Sequence, residues 1–398
     1  MSESPALPLY MRRSAFDPDP ALARVREGEG VRKVPTMFGV DAWMVTRFPD
    51  VREVLGDHAR FSNAHRAVLR SPDMPELTDE ELTTLQAGSL LAFDPPEHTR
   101  LRRMLTPEFT MRRIRRLEPR IQAIVAEHLD AMEAAGPPAD LVRAFAMPVP
   151  SLVICELLGV PYGDRDDFQR RTARMLDLSV PGRERLAAQM ESRAYMSELV
   201  ARARIEPGDD LLGMLVREHG HDLRADELAG IGSLLLLAGH ETTANMLGLG
   251  TLALLRHPDQ LSLLRQKPEL IDAAVEELMR WLSIVHSGAV RLTTTEVEVA
   301  GTRIPEGELV VCVLPAANRD PELVPDPDRL DISRGDLGHV AFGHGVHHCL
   351  GAPLARMEMH VAFPALFERF PRLREAGPPA EFRSHTVVYG VTSLPVAW

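Results

Sequence analysis

The strongest constraint on this chain is a run of helical periodicity from 226 to 256, 31 residues without a proline. At 1.5 Å per residue such a helix spans about 46 Å, enough to cross a whole domain. Its centre, LLLLAGHETTANMLGLG at 234–250, is apolar nearly all round, so other elements must cover it on every side. The most apolar stretch, IGSLLLLAG at 231–239, falls well short of the roughly 20 residues a membrane span needs. The predicted helix is therefore the axis of a soluble core, and a chain of 398 residues that is 45% hydrophobic can wrap it. Two features interrupt its apolar character. Gly239 costs about 1 kcal/mol relative to alanine in mid-helix, and a buried Glu241 needs a partner or a task. A close helix crossing at Gly239 and a salt bridge at Glu241 would satisfy both.

Periodicity elsewhere points the same way. Helices are predicted at 111–135 closing at Gly136, 147–158 closing at Gly159, 183–204, 209–219 and 269–282, with a last one from Pro353. Strands are expected at Val31–Met37 and Ala42–Thr46 around a Gly39–Asp41 turn, followed by a short helix opened by Phe48-Pro49-Asp50. Strand signals return between 290 and 314, where Pro305-Glu306-Gly307 separates Arg303–Ile304 from the run Leu309–Val313. No repeat or long linker divides the sequence. The expectation is one mostly-α domain over 1–398 with small β-sheets. Its β-rich parts lie near 31–60, 290–314 and 380–398, and its helical parts near 94–282 and 353–370.

Charge and cysteine content narrow the function. The three cysteines, Cys155, Cys312 and Cys349, are an odd number, and a long chain with so few reads as one from a reducing compartment. No apolar run of signal-peptide length opens the sequence, so the expected location is the cytoplasm, away from membranes. A net charge of −12 argues against nucleic-acid binding. That charge is uneven: between 100 and 120 lie Arg100, Arg102, Arg103, Arg112, Arg113, Arg115, Arg116 and Arg120 against Glu108 and Glu118. The patch is either a solvated helical face or a docking surface for an acidic partner.

The segment FGHGVHHCLG at 342–351 carries the chemistry. Cys349 lies in a glycine-punctuated loop just ahead of the helix opening at Pro353, where unpaired N–H groups and the helix dipole favour thiolate. A thiolate there is a metal ligand or a nucleophile. Zinc held by His344, His347, His348 and Cys349 lacks a second ligand pair elsewhere, and a nucleophile would want a positioned histidine. Cys155 and Cys312 read as small buried hydrophobes.

The pattern FGxGxHxCxG closely resembles the heme-binding loop of the cytochrome P450 family. The resemblance extends over nearly the whole chain: AGHETT at 238–243, Glu277-Leu278-Met279-Arg280, Pro327-Asp328-Arg329-Leu330, DPPEHTRLRR at 94–103 and the segment 139–161 all resemble soluble actinobacterial members. The subgroup most resembled hydroxylates macrolides, polyenes, vitamin D-like sterols and xenobiotics. The resemblance implies a triangular-prism fold with heme b between the long central helix and the cysteine loop.

It also implies roles. Cys349 would be the axial ligand, with Phe342 packed beside its sulfur and Gly343 and Gly351 shaping the loop. His98, Arg102, Arg291 and His347 would bind the heme carboxylates. Glu277, Arg280 and Arg329 would form a buried cluster bracing the loop. Ala238 and Gly239 would leave room beside the iron, with Gly239 allowing a local opening of the helix, and Glu241 and Thr242 would deliver protons for dioxygen cleavage. The pocket is expected to be lined by Leu90, Leu235, Ala238, Thr242, Val285, Ala289, Val388 and the variable 61–92 segment, whose His65, Arg66 and Arg70 would meet a polar substituent. The implied function is hydroxylation or epoxidation of a hydrophobic small molecule by a monomeric monooxygenase. Electrons would come from NAD(P)H through a ferredoxin reductase and a ferredoxin docked at Arg103, Arg112, Arg113 and Arg116. A peroxide-driven peroxygenase, a heme-thiolate isomerase and a non-catalytic heme-binding protein or sensor are the competing functions.

Overall fold

The computed structural model describes residues 7–37, 39–64, 74–335 and 337–398. A continuous helix over Ala225–Arg256 forms its axis, starting with Asp226 and Glu227 at the positive end of the dipole and finishing on Arg256. Three of its close crossings with other helices are at glycines. A Cβ on Gly232 would lie 2.5 Å from the Met196 sulfur, on Gly239 2.6 Å from Ile154 Cδ1, and on Gly250 2.6 Å from Phe363 Cζ. Each glycine thus admits one neighbour: helix Gly182–Ile205, helix Pro148–Leu158 and helix Ala352–Arg369 respectively. The lost helix propensity is exchanged for close packing in one large hydrophobic core around the axis. At Gly239 the helix is continuous, the Ala238–Thr243 stretch keeping its helical backbone.

The strands from the two ends of the chain join in one sheet. Its order is Val31–Pro35, Asp41–Val45, Leu309–Cys312, Ala289–Thr293, Phe61–Ser62. Val310 pairs in parallel with Trp43 and antiparallel with Arg291, which fixes where Arg291 sits relative to the loop before it. Smaller pairings complete the periphery, among them Pro395–Ala397 between Arg374–Glu375 and Ala139–Asp140.

The helix predicted over 111–135 is two, Met111–Ile114 and Glu118–Ala135. Pro119 is the cause: it has no N–H to give the carbonyl one turn back, so the second helix starts around it. Four further helices, Pro20–Glu27, Asp79–Gln86, Arg165–Leu176 and Pro258–Gln266, were not expected from periodicity. Among the described residues no helix is long and apolar enough to cross a membrane.

Candidate active site

A cavity of about 310 Å³ lies between the central helix and the segment 341–359. The helix presents Leu234, Leu235, Ala238, Gly239, Thr242, Thr243 and Met246, a single face at helical spacing. The opposite wall is the loop of Phe342, Gly343, His347, Cys349 and Gly351, continuing into the helix that starts at Ala352. The loop folds back on itself. Cys349 N–H donates to Phe342 O at 2.9 Å and Gly343 N–H to Val340 O at 2.9 Å, while His348 N–H closes a tight turn on Gly345 O at 3.0 Å. Gly345 has φ +71°, and a Cβ there would lie 2.5 Å from the Leu55 carbonyl oxygen, so the turn accepts only glycine.

Cys349 is the one cysteine whose surface faces the cavity; Cys155 and Cys312 are buried, and burial holds each of their thiols at about 12. At Cys349 burial also raises the thiol, opposed by the Gly351 and Ala352 N–H groups and the charges of Arg102 and Arg356. The N–H donors expected from the helix start are present, yet desolvation outweighs them in the protein alone. A bound metal cation would supply the remaining stabilisation of thiolate.

One end of the cavity collects hydrogen-bond donors that have no acceptor. His98 is buried and the His347 side chain is 6% exposed, and their rings lie 4.3 Å apart. None of the four ring nitrogens has a hydrogen-bond partner among the described residues, Asp94 Oδ1 lying 3.9 Å from His347 Nε2. Burial, joined by neighbouring positive charge, holds His98 below its ordinary range and His347 at about 3. Arg102 lines the same end and donates to Val346 O at 3.1 Å. Arg291 is close enough for its charge to act on His347, but its guanidinium is held by Asn63 Oδ1 at 2.7 Å and Val290 O at 2.8 Å rather than at the cavity wall. Orphaned imidazoles and a guanidinium fit a ligand with carboxylates at one edge. An apolar slot with a thiol on one face and Thr242 on the other fits the rest of a porphyrin. The residues present therefore fit heme b. Among the described residues no group of three His, Cys, Asp or Glu side chains converges as a metal cage, so His344, His347, His348 and Cys349 do not share an ion.

The bracing cluster differs from expectation in its third member. Glu277 and Arg280 are fully buried and paired twice, at 2.7 and 2.8 Å, and Arg280 donates to the carbonyls of Asn318 and Pro327 at 2.8 Å. Arg329 contributes only its backbone carbonyl, 3.4 Å from Arg280; its side chain is 62% exposed beside Asp331. The turn through Pro327–Arg329 points carbonyls inward and the Arg329 side chain outward. The chain then doubles back and places Arg334 Nε 3.4 Å from Glu277. The brace reaches the cysteine loop through groups not anticipated from the sequence. Asn318 Oδ1 accepts from Val340 N–H at 2.8 Å, and Glu276 takes a two-pronged pair from Arg356, which lies 4.6 Å over the Phe342 ring.

Other expected positions are corrected by the packing. Leu90, Leu235, Ala238, Thr242 and Val285 line the cavity, whereas Ala289 and Val388 do not. Ala289 pairs with Cys312 inside the sheet, and Val388 is buried in the main core. Glu241 does not face the cavity either: its carboxylate lies 3.3 Å from Arg383 and 3.2 Å from Asn245. Thr242 does face it, with its hydroxyl donating to Ala238 O at 2.8 Å. His65, Arg66 and Arg70 lie outside the described residues.

The arginine patch sorts itself by partner. Arg100, Arg113 and Arg120 are ion-paired with Glu97, Glu108 and Glu156, and among the described residues Arg103, Arg112, Arg115 and Arg116 make no ion pair. Arg112 and Arg116 are exposed near Met111–Ile114, a turn packed on the helix that follows Cys349. Arg103 instead lines a separate surface recess with His219 and Asp222.

The sequence model described as "Cytochrome P450" matches residues 262–389. The chain is 49% identical to "Cytochrome P450 FAS1" of Rhodococcoides fascians over 399 residues, covering 100% of both. It is 46% identical to the pentalenic acid synthase of Streptomyces avermitilis, over 97% of this chain and 96% of the relative. Among solved structures, that of CYP105P1 in complex with filipin I superposes with a TM-score of 0.91 at 41% identity, covering 97% of each chain. With that likeness over its full length, a cavity-facing Cys349 and a donor set suited to heme b, the chain belongs to the cytochrome P450 family of heme-thiolate monooxygenases.

Proposed function

We propose that residues 1–398 act as one catalytic domain in the cytoplasm, oxidising a hydrophobic secondary metabolite or xenobiotic-like molecule with electrons from a ferredoxin. The observation that carries this reading is the opposition of Cys349 and Thr242 across an apolar cavity. Bound heme b supplies dioxygen activation and insertion of one oxygen atom into the substrate. Cys349 would hold the iron, and His98, Arg102 and His347 would anchor the two carboxylates and set the ring's orientation. Leu90, Leu91, Leu234, Leu235, Ala238 and Val285 line the cavity with apolar surface, which supports a hydrophobic substrate. The printed names of relatives, a pentalenic acid synthase and a vitamin D(3) 25-hydroxylase, support the same class.

Thr242 would hold water at the reacting centre and pass protons to dioxygen, its hydroxyl exchanging the Ala238 carbonyl for that water. In Thr242→Ala, heme and substrate binding should persist while peroxide accumulates and NADPH consumed exceeds product formed. Coupling equal to wild type would contradict the assignment. The peroxide-driven alternative gains one point, because Glu241 is turned into an ion pair. Product formation from peroxide at a rate matching that with NADPH, reductase and ferredoxin would favour it.

A further inference from the structure

Ile284 and Val285, which line the cavity, lie in the irregular stretch between helix Ile271–Leu282 and strand Ala289–Thr293. The helix ends there without a glycine. Ser283 takes a left-handed φ of +40°, which a residue with a Cβ keeps only when its surroundings impose it. They do: Ser283 N–H donates to Met279 O at 3.1 Å, and its hydroxyl donates to Arg280 O and accepts from Asn318 Nδ2, both at 2.7 Å. The last carbonyls of a helix have no donor within it and must find one elsewhere. Here they find it near the start of the chain. Arg13 Nη1 donates to Leu282 O at 2.7 Å and Nη2 to Ser283 O at 2.6 Å. The next carbonyl, Ile284 O, accepts from Tyr389 N–H at 2.7 Å.

Arg13 and Tyr389 also hold each other. The guanidinium lies 4.7 Å over the Tyr389 ring, and the Tyr389 hydroxyl donates at 2.6 Å to Ala15 O, in the turn between strands Arg13–Ser14 and Asp17–Pro18. Segments distant in sequence thus meet on three consecutive carbonyls, and neither Arg13 nor Tyr389 lines the cavity. Ile284 and Val285 are apolar, with no directional contact to set their depth, so the backbone behind them sets it. We propose that Arg13 is a positioning residue for the substrate. With Tyr389 it clasps the Leu282–Ile284 carbonyls from behind the wall and fixes how far Ile284 and Val285 project, which selects among apolar ligands by size. Its planar fork meets two carbonyls at once, which a lysine ammonium does less well. The proposal rests on the function proposed above in taking this cavity as the substrate's, whereas the clasp is measurable without turnover.

The test uses the heme-loaded full chain. In Arg13→Ala, amides of 283–289 and 386–390 should exchange hydrogen several-fold faster, with helix Glu118–Ala135 unchanged. Azole binding, read from the absorption spectrum, should separate positioning from mere stability. Affinity for phenylimidazole, which must pack on the wall, should fall several-fold, and that for imidazole, too small to reach it, should hold. Arg13→Lys, which keeps a charged donor, should lie between wild type and Arg13→Ala, and it carries both readouts should Arg13→Ala fail to fold. Arg12→Ala, at the exposed neighbour that donates to Leu7 O, should match wild type. A purely structural Arg13 would lower the thermal midpoint and leave the preference for phenylimidazole over imidazole unchanged. That result, a raised preference, or exchange that speeds everywhere alike would overturn the proposal. Absence of an azole spectrum in wild type would instead count against the heme-thiolate reading, with hydrogen exchange still deciding the clasp.

Discussion

Burial acts on individual titratable side chains throughout this molecule, and His286 shows its effect on stability most plainly. The ring is fully buried in the loop after Leu282, with Nε2 2.7 Å from Thr386 O. Burial first, and the Arg13 charge second, hold it at about 3, against an ordinary value of 6.5. The folded protein thus refuses a proton that the unfolded chain accepts. Stability is fully present above about pH 6.5 and declines as pH falls toward 3, by about 1.4 kcal/mol per unit from this group. Between pH 7 and 5 the thermal midpoint of the holoenzyme should fall, and in His286→Gln it should fall less steeply. Parallel slopes would show that other groups carry the acid sensitivity. At this scale sequence reading reached Cys349, His98, Arg102, His347 and Thr242, because each lies in a spaced motif. It missed Glu276, Asn318, Arg334 and Arg356, whose contacts are with partners distant in the chain, and no local spacing encodes that.

At the scale of elements, the central helix makes the sharpest claim, since its glycines differ in what surrounds them. Gly250 abuts the Phe363 ring, whereas a Cβ on Gly248 would meet Val391 and Val142 at the ordinary distances of 3.6 and 3.8 Å. Gly248→Ala should therefore stabilise by about 1 kcal/mol through helix propensity. Gly250→Ala should destabilise by about 1–3 kcal/mol through overpacking, despite the same propensity gain. Thermal midpoints moving in the same direction would refute this account of the glycines. The long helix itself was legible because its helical periodicity runs for 31 residues without a proline. The break at Arg115–Leu117 was also encoded, in Pro119, although apolar periodicity ran through it. Helix Asp79–Gln86 has a capping box from Thr78 and Glu81, and Pro20–Glu27 has an Asp19 cap ahead of Pro20. Both are eight residues long, too short for periodicity to register although the end signals were there.

At the scale of the whole molecule, a net charge of −12 would repel an acidic ferredoxin unless a basic surface faces it. In the proposed complex Arg112 and Arg116 would meet that need, being exposed and without ion pairs among the described residues, beside the helix that follows Cys349. Of the other two expected docking residues, Arg113 is ion-paired with Glu108 and Arg103 lines a different recess. Charge reversal at Arg112 and Arg116 should slow the first electron transfer at low salt and leave substrate affinity unchanged. The wild-type advantage should vanish as the Debye length shrinks from about 10 Å at 0.1 M salt to about 3 Å at 1 M. Equal rates at low salt would make the patch a solvated surface.

The proposed function depends on one bond, between Cys349 and heme iron. The most direct measurement is the absorption spectrum of the reduced, CO-bound protein in wild type and three cysteine variants. The red-shifted Soret band of thiolate ligation should appear in wild type, Cys155→Ser and Cys312→Ser and be lost in Cys349→Ser. A thiolate-type band surviving in Cys349→Ser would contradict the assignment of the site.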